Sequence, residues 1–362
     1  MGINMLKRFL LSILLLVGVI FVPYEVAAVS KSKHTKLPET QKSTWPVSIP
    51  EKQGFDSNKL HLIKDFIESK TGTTGLVVVV NGKIIYTYGD IKQISYIASC
   101  RKSVLSMLYG IYVQRDKIKL NKTLKELNID DHIPLLPIEK EATVYDLITA
   151  RSGIYLPAAN AGGIPEGKEP PRGKSKPGTV FVYNNWDFNA AGTVFEKQAR
   201  ISIYRALQED IVKPLKMEDF KYSLHKKSGD KKKSKHLAYH MHFSTRDMAR
   251  LGELMRLNGK WEGKQIIPEE WVKKSTSPIS VFPKGNNSGY GIMWWTLRDY
   301  KFPEEFKGAY TASGMYGQKI TVLPALNMVI AHKSANNSKK PTRSQDYRTI
   351  LHMIIQSRIK TK

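Results

Sequence analysis

Ser99 and Lys102 stand three residues apart where an apolar run, Ser103 to Gln114, begins. Ser-x-x-Lys by itself is uninformative, since it occurs five times in this chain, at Ser30, Ser99, Ser223, Ser228 and Ser357. Ser30 falls in a polar stretch, Ser223 and Ser228 in a lysine-rich one, and Ser357 near the C-terminus; only Ser99 opens an apolar helix. Residues three apart on a helix share a face, so Lys102 is expected one turn above the Ser99 hydroxyl. The helix start offers positive potential and unpaired N–H groups to a developing oxyanion. A lysine among apolar side chains has its charged form disfavoured and can accept a proton near neutral pH. The competing reading of such a pair is a serine that caps its helix and a lysine whose head reaches solvent.

A second pair bears on that choice. Of 17 tyrosines, only Tyr183 has an Asn two residues later, Asn185. A phenol near a lysine can relay the nucleophile's proton, and a carboxamide both donates and accepts, so Asn185 can hold a substrate carbonyl. The chemistry this foursome suggests is acyl transfer through a covalent serine intermediate.

The elements that must position these residues follow from patterning. Asp56 or Ser57 can cap a helix through Ile67, with Leu60, Ile63 and Ile67 on its apolar side. The runs Leu76–Val80 and Lys83–Tyr88, joined by Asn81-Gly82, predict a two-residue hairpin. From about Ser99 to Lys274 the chain reads as helices and long loops. These include an apolar helix from Ser103, a helix ending at Ser152-Gly153, a Gly/Pro-rich loop from Gly162 to Pro177, and a helix capped at Ser244 that runs to Leu257. Strand character returns at Tyr290–Trp295, Gln318–Leu323 and Met328–Ala331, and Ser344–Ile359 has helical spacing. Strands at both ends with helices between predict an α+β fold: one antiparallel sheet built from both chain ends, flanked by helices, with a mainly helical insertion over roughly 99–274.

The N-terminus reads as a targeting segment. Lys7 and Arg8 precede an uncharged run from Phe9 to Val22, and Val26-Ala27-Ala28 offers small residues for cleavage. Residues 1–28 are therefore expected to be a signal peptide or an uncleaved anchor, 29–50 a linker, and 51–362 the folded domain. Cys100 is the only cysteine, so no intramolecular disulfide is possible, and a buried packing role is expected for it. The net charge is +25, with a dense run from Lys221 to Lys235. That run is expected to be a solvated, disordered loop, and in an exported chain its natural counterpart is anionic cell-wall polymer or lipid headgroups. No nucleic-acid reader motif is present, so nucleic acid is not an expected partner. His236, His240 and His242 lie close in sequence without further ligands at metal spacing; they are expected to be surface residues, and neither metal nor cofactor is called for.

Together the motifs resemble the β-lactamase-related serine hydrolases: class C β-lactamases, D-alanyl-D-alanine carboxypeptidases, related esterases and 6-aminohexanoate-dimer hydrolase. The resemblance rests on Ile97–Ser103, Thr143–Gly153, Pro177-Gly178 ahead of Tyr183-x-Asn185, Ser244–Ala249 and Tyr290–Trp295, in that order. It implies a β-lactamase/transpeptidase-like fold and catalysis by Ser99, Lys102 and Tyr183. It also implies substrate binding by Asn185, Ser313 and Gly314, with an oxyanion hole from the backbone N–H groups of Ser99 and Met315. The family's third motif, Lys-Thr-Gly or His-Thr-Gly, is matched here by Ala312-Ser313-Gly314, which lacks the basic residue that in relatives lies beside the substrate carboxylate. An ester or amide substrate, a peptide among them, is therefore expected ahead of a β-lactam. A second function class stays open: an inactive relative that uses its cleft and basic surface to bind anionic wall polymer.

Overall fold

The computed structural model describes residues 45–160, 162–163, 168–285, 287–336 and 340–359. The expected targeting segment, 1–28, and the linker up to residue 44 lie outside the described residues.

Asp56 caps helix α1 (Ser57–Lys70), its carboxylate accepting from the N–H groups of Asn58 at 2.9 Å and Lys59 at 3.2 Å. Strands β1 (Thr73–Val80) and β2 (Lys83–Gly89) follow as the expected hairpin. Its turn residues Asn81 and Gly82 both have positive φ, 49° and 77°, as a turn matching the twist of its strands requires. The helical insertion then supplies α2 (Cys100–Gln114), α3 (Asn185–Ala199), α4 (Thr245–Arg256) and α5 (Glu269–Thr276). The C-terminal part returns β3 (Ser280–Val281), β4 (Asn287–Tyr290), β5 (Trp295–Leu297), β6 (Tyr310–Gly314), β7 (Gln318–Leu323), β8 (Met328–Ser334) and α6 (Ser344–Gln356).

These eight strands form one antiparallel sheet in the order β2-β1-β8-β7-β6-β5-β4-β3, so strands from the two ends of the domain pair with each other one strand in from the β2 edge, where Val78 of β1 pairs with Ile330 of β8. Strand side chains alternate between faces. Val77 and Val79 join the core beneath α2 and α4, whereas Leu76, Val78 and Val80 pack with Leu60, Ile63 and Ile67 of α1 and Ile350, Leu351 and Ile354 of α6. Both faces of β1 are covered, which is why its sequence is apolar at nearly every position rather than alternating.

Several expectations need correction. Tyr290–Trp295 is not one strand. Tyr290 and Trp295 pair with each other across a tight turn closed by the Gly291 N–H on the Trp294 carbonyl at 2.9 Å. A Cβ on Gly291 would stand 2.1 Å from the Ser275 carbonyl oxygen, so the turn is pressed against the end of α5, while Ile292, Met293 and Trp294 fill the core. Burial of the turn, not extension, explains its apolar residues. The linker also ends earlier than residue 50. Trp45 is buried, its indole N–H donates to the Gly82 carbonyl at 2.9 Å, and Val47 bridges to Ile84, so the folded unit begins at Trp45.

The lysine-rich run is ordered. Lys226–Ser228 pairs with Ala238–His240, and the Asp131 carboxylate accepts from the Ser234 hydroxyl at 2.5 Å and the Lys235 N–H at 2.7 Å. Lys231, Lys232 and Lys233 remain exposed. The nearby histidines are not surface residues. His236 is buried against Trp186, His240 and His242 are half-buried around Tyr96, and burial pushes His240 down to about 4.

Candidate active site

The approach to Ser99 is tightly held. Ser95–Tyr96 pairs with His242–Phe243, and the Ile97 N–H donates to the Met241 carbonyl at 3.1 Å. Ala98 then takes a left-handed conformation, φ 49°, which a residue with a Cβ adopts only when its surroundings impose it. The chain turns there into α2, of which Ser99 is the first flanking residue. Ser99 makes no side-chain capping bond to its helix, so its hydroxyl is turned to other contacts.

Those contacts centre on Lys102, which is 1% exposed and does not reach solvent. Its Nζ donates to Ser99 Oγ at 3.0 Å, Tyr183 Oη at 2.6 Å and Asn185 Oδ1 at 2.7 Å. An ammonium has three N–H donors, and all three are used. The nitrogen also lies 4.3 Å from the Tyr183 ring centre and 4.5 Å from that of Phe188. No carboxylate is among these contacts. Burial, and secondarily the Arg101 charge, drive Lys102 well below the usual lysine range. Burial raises Tyr183 to about 12, although its hydrogen bond with Ser99 pulls the other way. Arg101 is itself buried, donating to Asn189 Oδ1 at 2.9 Å with its guanidinium 4.2 Å over the Tyr239 ring.

Tyr183 and Asn185 arrive from the insertion. The Val182 N–H donates to the Ala150 carbonyl at 2.9 Å and Gly178 to Arg151 at 2.8 Å, so the Thr143–Gly153 segment braces the approach to Tyr183. Asn184 caps α3 by accepting from the Asp187 N–H at 2.8 Å, which places Asn185 in the first helical position. Beneath it, the Ser152 hydroxyl donates to buried Asp187 Oδ1 at 2.6 Å, and burial raises the Asp187 carboxyl well above the usual range. Asp187 was not singled out in the sequence. Its place two residues after Asn185, opposite Ser152, is a tertiary contact with no local signature. The Tyr183 ring is packed by Phe188 at 4.9 Å, Trp295 at 5.3 Å and Tyr290 at 5.9 Å between centroids.

The Ala312–Gly314 strand end closes the other side. Gly314 lies so near the Ser99 turn that a Cβ on it would stand 2.6 Å from the Ile97 carbonyl oxygen and 3.1 Å from Ala98 Cβ. Met315 follows directly, with its methyl 3.9 Å from where a Cβ on Gly162 would be, beside Asn185. Ala312 faces the α2 core, so Ser313 faces the opposite side of the sheet. There Lys319, its cross-strand partner on β7, donates to Ser313 Oγ at 2.5 Å. The structure thus brings Ser99, Lys102, Tyr183 and Asn185 into mutual contact, sets Gly314 and Met315 at their rim, and turns Ser313 toward a lysine that sequence reading passed over. The hairpin pairing of 310–314 with 318–323 is the signal that locates it. Cys100 is buried, its thiol donating to the Gln318 carbonyl at 3.3 Å, and burial pushes it up to about 12. No group of three or more metal-ligating side chains occurs among the described residues.

A family model described as Beta-lactamase matches residues 61–352. No curated protein matches the chain. Among solved structures, a Bacillus anthracis protein named for 6-aminohexanoate-dimer hydrolase superposes with a TM-score of 0.65 at 21% identity, over 87% of each chain. An octameric penicillin-binding protein homologue from Pyrococcus abyssi gives 0.60 at 19% identity, over 82% of this chain and 77% of its own. A class C β-lactamase in complex with cefoxitin gives 0.58 at 16%, over 82% of this chain and 99% of its own. At these identities the likeness is one of fold.

Proposed function

Because this chain belongs to the β-lactamase family, whose members are serine hydrolases working through an acyl-enzyme, we propose that it hydrolyses an ester or amide through Ser99, with β-lactams disfavoured. The observation that carries the reading is the three-way contact of buried Lys102 with Ser99, Tyr183 and Asn185.

With its proton affinity depressed, Lys102 in neutral form presents a lone pair to the Ser99 hydroxyl. Ser99 Oγ attacks the substrate carbonyl carbon while its proton passes to the Lys102–Tyr183 pair. Charge developing on the carbonyl oxygen is met by the backbone N–H groups of Ser99 and Met315. The same pair returns the proton to the leaving alcohol or amine as its bond to the acyl carbon breaks. Water then attacks the acyl-enzyme, giving a proton to the pair, which passes it to Ser99 Oγ as the bond from that oxygen to the acyl carbon breaks and the acid is released. Asn185, with Oδ1 committed to Lys102, orients the acyl part through its amide. The short side chain of Ala312 puts no cation where the family's third motif carries one, which disfavours β-lactams.

A fluorophosphonate should label Ser99, located by mass mapping of the modified peptide. Alongside it, p-nitrophenyl esters should be turned over faster than nitrocefin or D-alanyl-D-alanine peptides. A label on another serine, or nitrocefin as the best substrate, overturns this reading. The export expected from Lys7-Arg8 and the uncharged run after them belongs to the proposal. Fractionation of protein carrying its own N-terminus should place it outside the cytoplasm. No helix among the described residues is long and apolar enough to cross a membrane.

A further inference from the structure

Arg101 and Lys102 are consecutive on α2, and each reaches a carboxamide of α3. Arg101 Nη2 donates to Asn189 Oδ1 at 2.9 Å, and Lys102 Nζ donates to Asn185 Oδ1 at 2.7 Å. Residues four apart on a helix share a face, so Asn185 and Asn189 stand about 6 Å from each other, Cβ to Cβ. The two helices are thus joined by two adjacent rungs, each a cation on an amide oxygen. All four side chains are buried, Arg101 and Lys102 at 1% exposure. Asn160 ties the rungs together. Its side-chain oxygen accepts from Asn189 Nδ2 at 2.8 Å, and its backbone carbonyl accepts from Asn185 Nδ2 at 3.5 Å.

The charge of Arg101 is not balanced. Among the described residues it has no ion-pair partner, and the groups that meet it are neutral. Its guanidinium lies 4.2 Å over the Tyr239 ring with Tyr96 close by, and burial holds both phenols protonated. His240, which contacts the Tyr96 hydroxyl at 3.0 Å, is pushed by burial, and next by Arg101, down to about 4, so it is uncharged at neutral pH. On the Lys102 side the contacts are Ser99, Tyr183 and Asn185, and burial keeps the neighbouring Cys100 thiol protonated. A buried guanidinium without a carboxylate costs stability that an apolar side chain of similar length would not. Stability therefore does not account for an arginine here.

We propose that Arg101 is a positioning residue of the Ser99 site, which fixes α2 against α3 and places beside Lys102 a permanent positive charge that opposes a second one there. A guanidinium stays charged across the working pH range, so the repulsion between two cations in a dry site is relieved when the lysine releases its proton. The neutral amine that results is the form that accepts the Ser99 proton. Burial of Lys102 acts in the same direction, and Arg101 adds to it. The Asn189 rung holds the charge in place and keeps Asn185 in register with Lys102. The inference rests on the acyl-enzyme reading and names what readies its base.

The test follows the rate at which a fluorophosphonate modifies Ser99, read by intact mass from about pH 4 to about pH 9. The rate should rise along an acid limb as Lys102 loses its proton. Arg101→Gln removes the charge and keeps an amide to meet Asn189. Its limb should move up by about one pH unit, a tenfold loss of rate on the acid side. Asn189→Asp leaves Arg101 in place but gives it a carboxylate at the same contact, and should move the limb the same way. Arg101→Lys keeps the charge and loses the planar fork, so it should be slower at every pH with its limb where the unmodified protein has it. A purely structural arginine would slow all three variants and move no limb. A limb unmoved in either Arg101→Gln or Asn189→Asp, or shifted as far in Arg101→Lys, overturns the proposal. No labelling of Ser99 in the unmodified protein at any pH overturns instead the acyl-enzyme reading beneath it.

Discussion

Lys102 and Tyr183 meet at 2.6 Å, nitrogen to phenol oxygen, and the same burial moves their proton affinities apart in meaning: the lysine loses its proton more readily, the phenol less readily. Both shifts favour the uncharged pair. An uncharged amine and an uncharged phenol, each in contact with or adjacent to one serine hydroxyl, can pass a proton without creating an isolated ion in a dry site.

Ser99 and Lys102 should behave as one unit. Ser99→Ala should abolish fluorophosphonate labelling, Lys102→Ala should lose nearly as much, and the double variant should be little worse than either. Lys102→Arg should fail too, because a guanidinium does not give up its proton near neutral pH. Ser99→Ala should cost less than about 1 kcal/mol of stability, as the hydroxyl makes no capping bond. Burst kinetics with p-nitrophenyl acetate and urea unfolding are the measurements.

Stability should carry the signature of Lys102. Its folded-state proton affinity is depressed, so between that lowered value and the unfolded value of about 10.4 the unfolded chain binds more protons. Stability from this group therefore rises with pH across that window. Lys102→Met removes the dependence. The difference in unfolding free energy, Met variant minus wild type, should be largest on the acid side and shrink as pH climbs toward 10. A difference independent of pH would mean that Lys102 titrates normally in the fold.

Gly314 should tolerate no side chain. In Gly314→Ala the new methyl meets the Ile97 carbonyl at 2.6 Å and Gln318 Cβ at 3.0 Å, so β6 must withdraw from the Ser99 turn. An overpacking cost of about 1–3 kcal/mol is expected, with a drop in kcat/KM larger than that of a conservative change elsewhere on β6. Unchanged kcat/KM would show that the strand end has no part in the site.

Trp45 should be structural despite lying where a linker was expected. Its ring is buried and packs edge-on to Trp261 at 6.3 Å. Trp45→Ala should lower stability by about 3 kcal/mol or more in denaturant titration, while leaving Ser99 labelling intact in the folded fraction.

The exposed lysines 231–233 should govern binding to an anionic polymer or membrane, if the +25 charge serves that purpose. Replacing all three by Gln should weaken binding to teichoic-acid-type polymer or anionic vesicles. Raising salt should do the same, since screening acts within about 8 Å at physiological ionic strength. Salt-independent binding would rule the surface out without touching the enzyme reading.

The local patterns were legible in the residues alone. The Asn81-Gly82 hairpin, the Asp56 and Ser244 caps, the apolar α2 and the Ser99–Lys102 spacing are all short-range, written in neighbours along the chain, and the structure contains each of them. Even the meeting of both chain ends in one sheet follows from strand character at each end. What only the tertiary structure decided is which way polar groups turn. Whether Ser99 caps its helix or faces Lys102 depends on Tyr183 and Asn185, more than 80 residues away, arriving to complete the lysine's hydrogen bonds. Whether Tyr290–Trp295 is a strand or a buried turn depends on how close α5 comes to Gly291. The partnership of Ser313 with Lys319 depends on hairpin register, which sets the two side chains opposite each other on neighbouring strands. Composition and spacing fix which groups a short segment can offer; burial and contact across the chain determine which of them remain ionised, paired or available to a substrate.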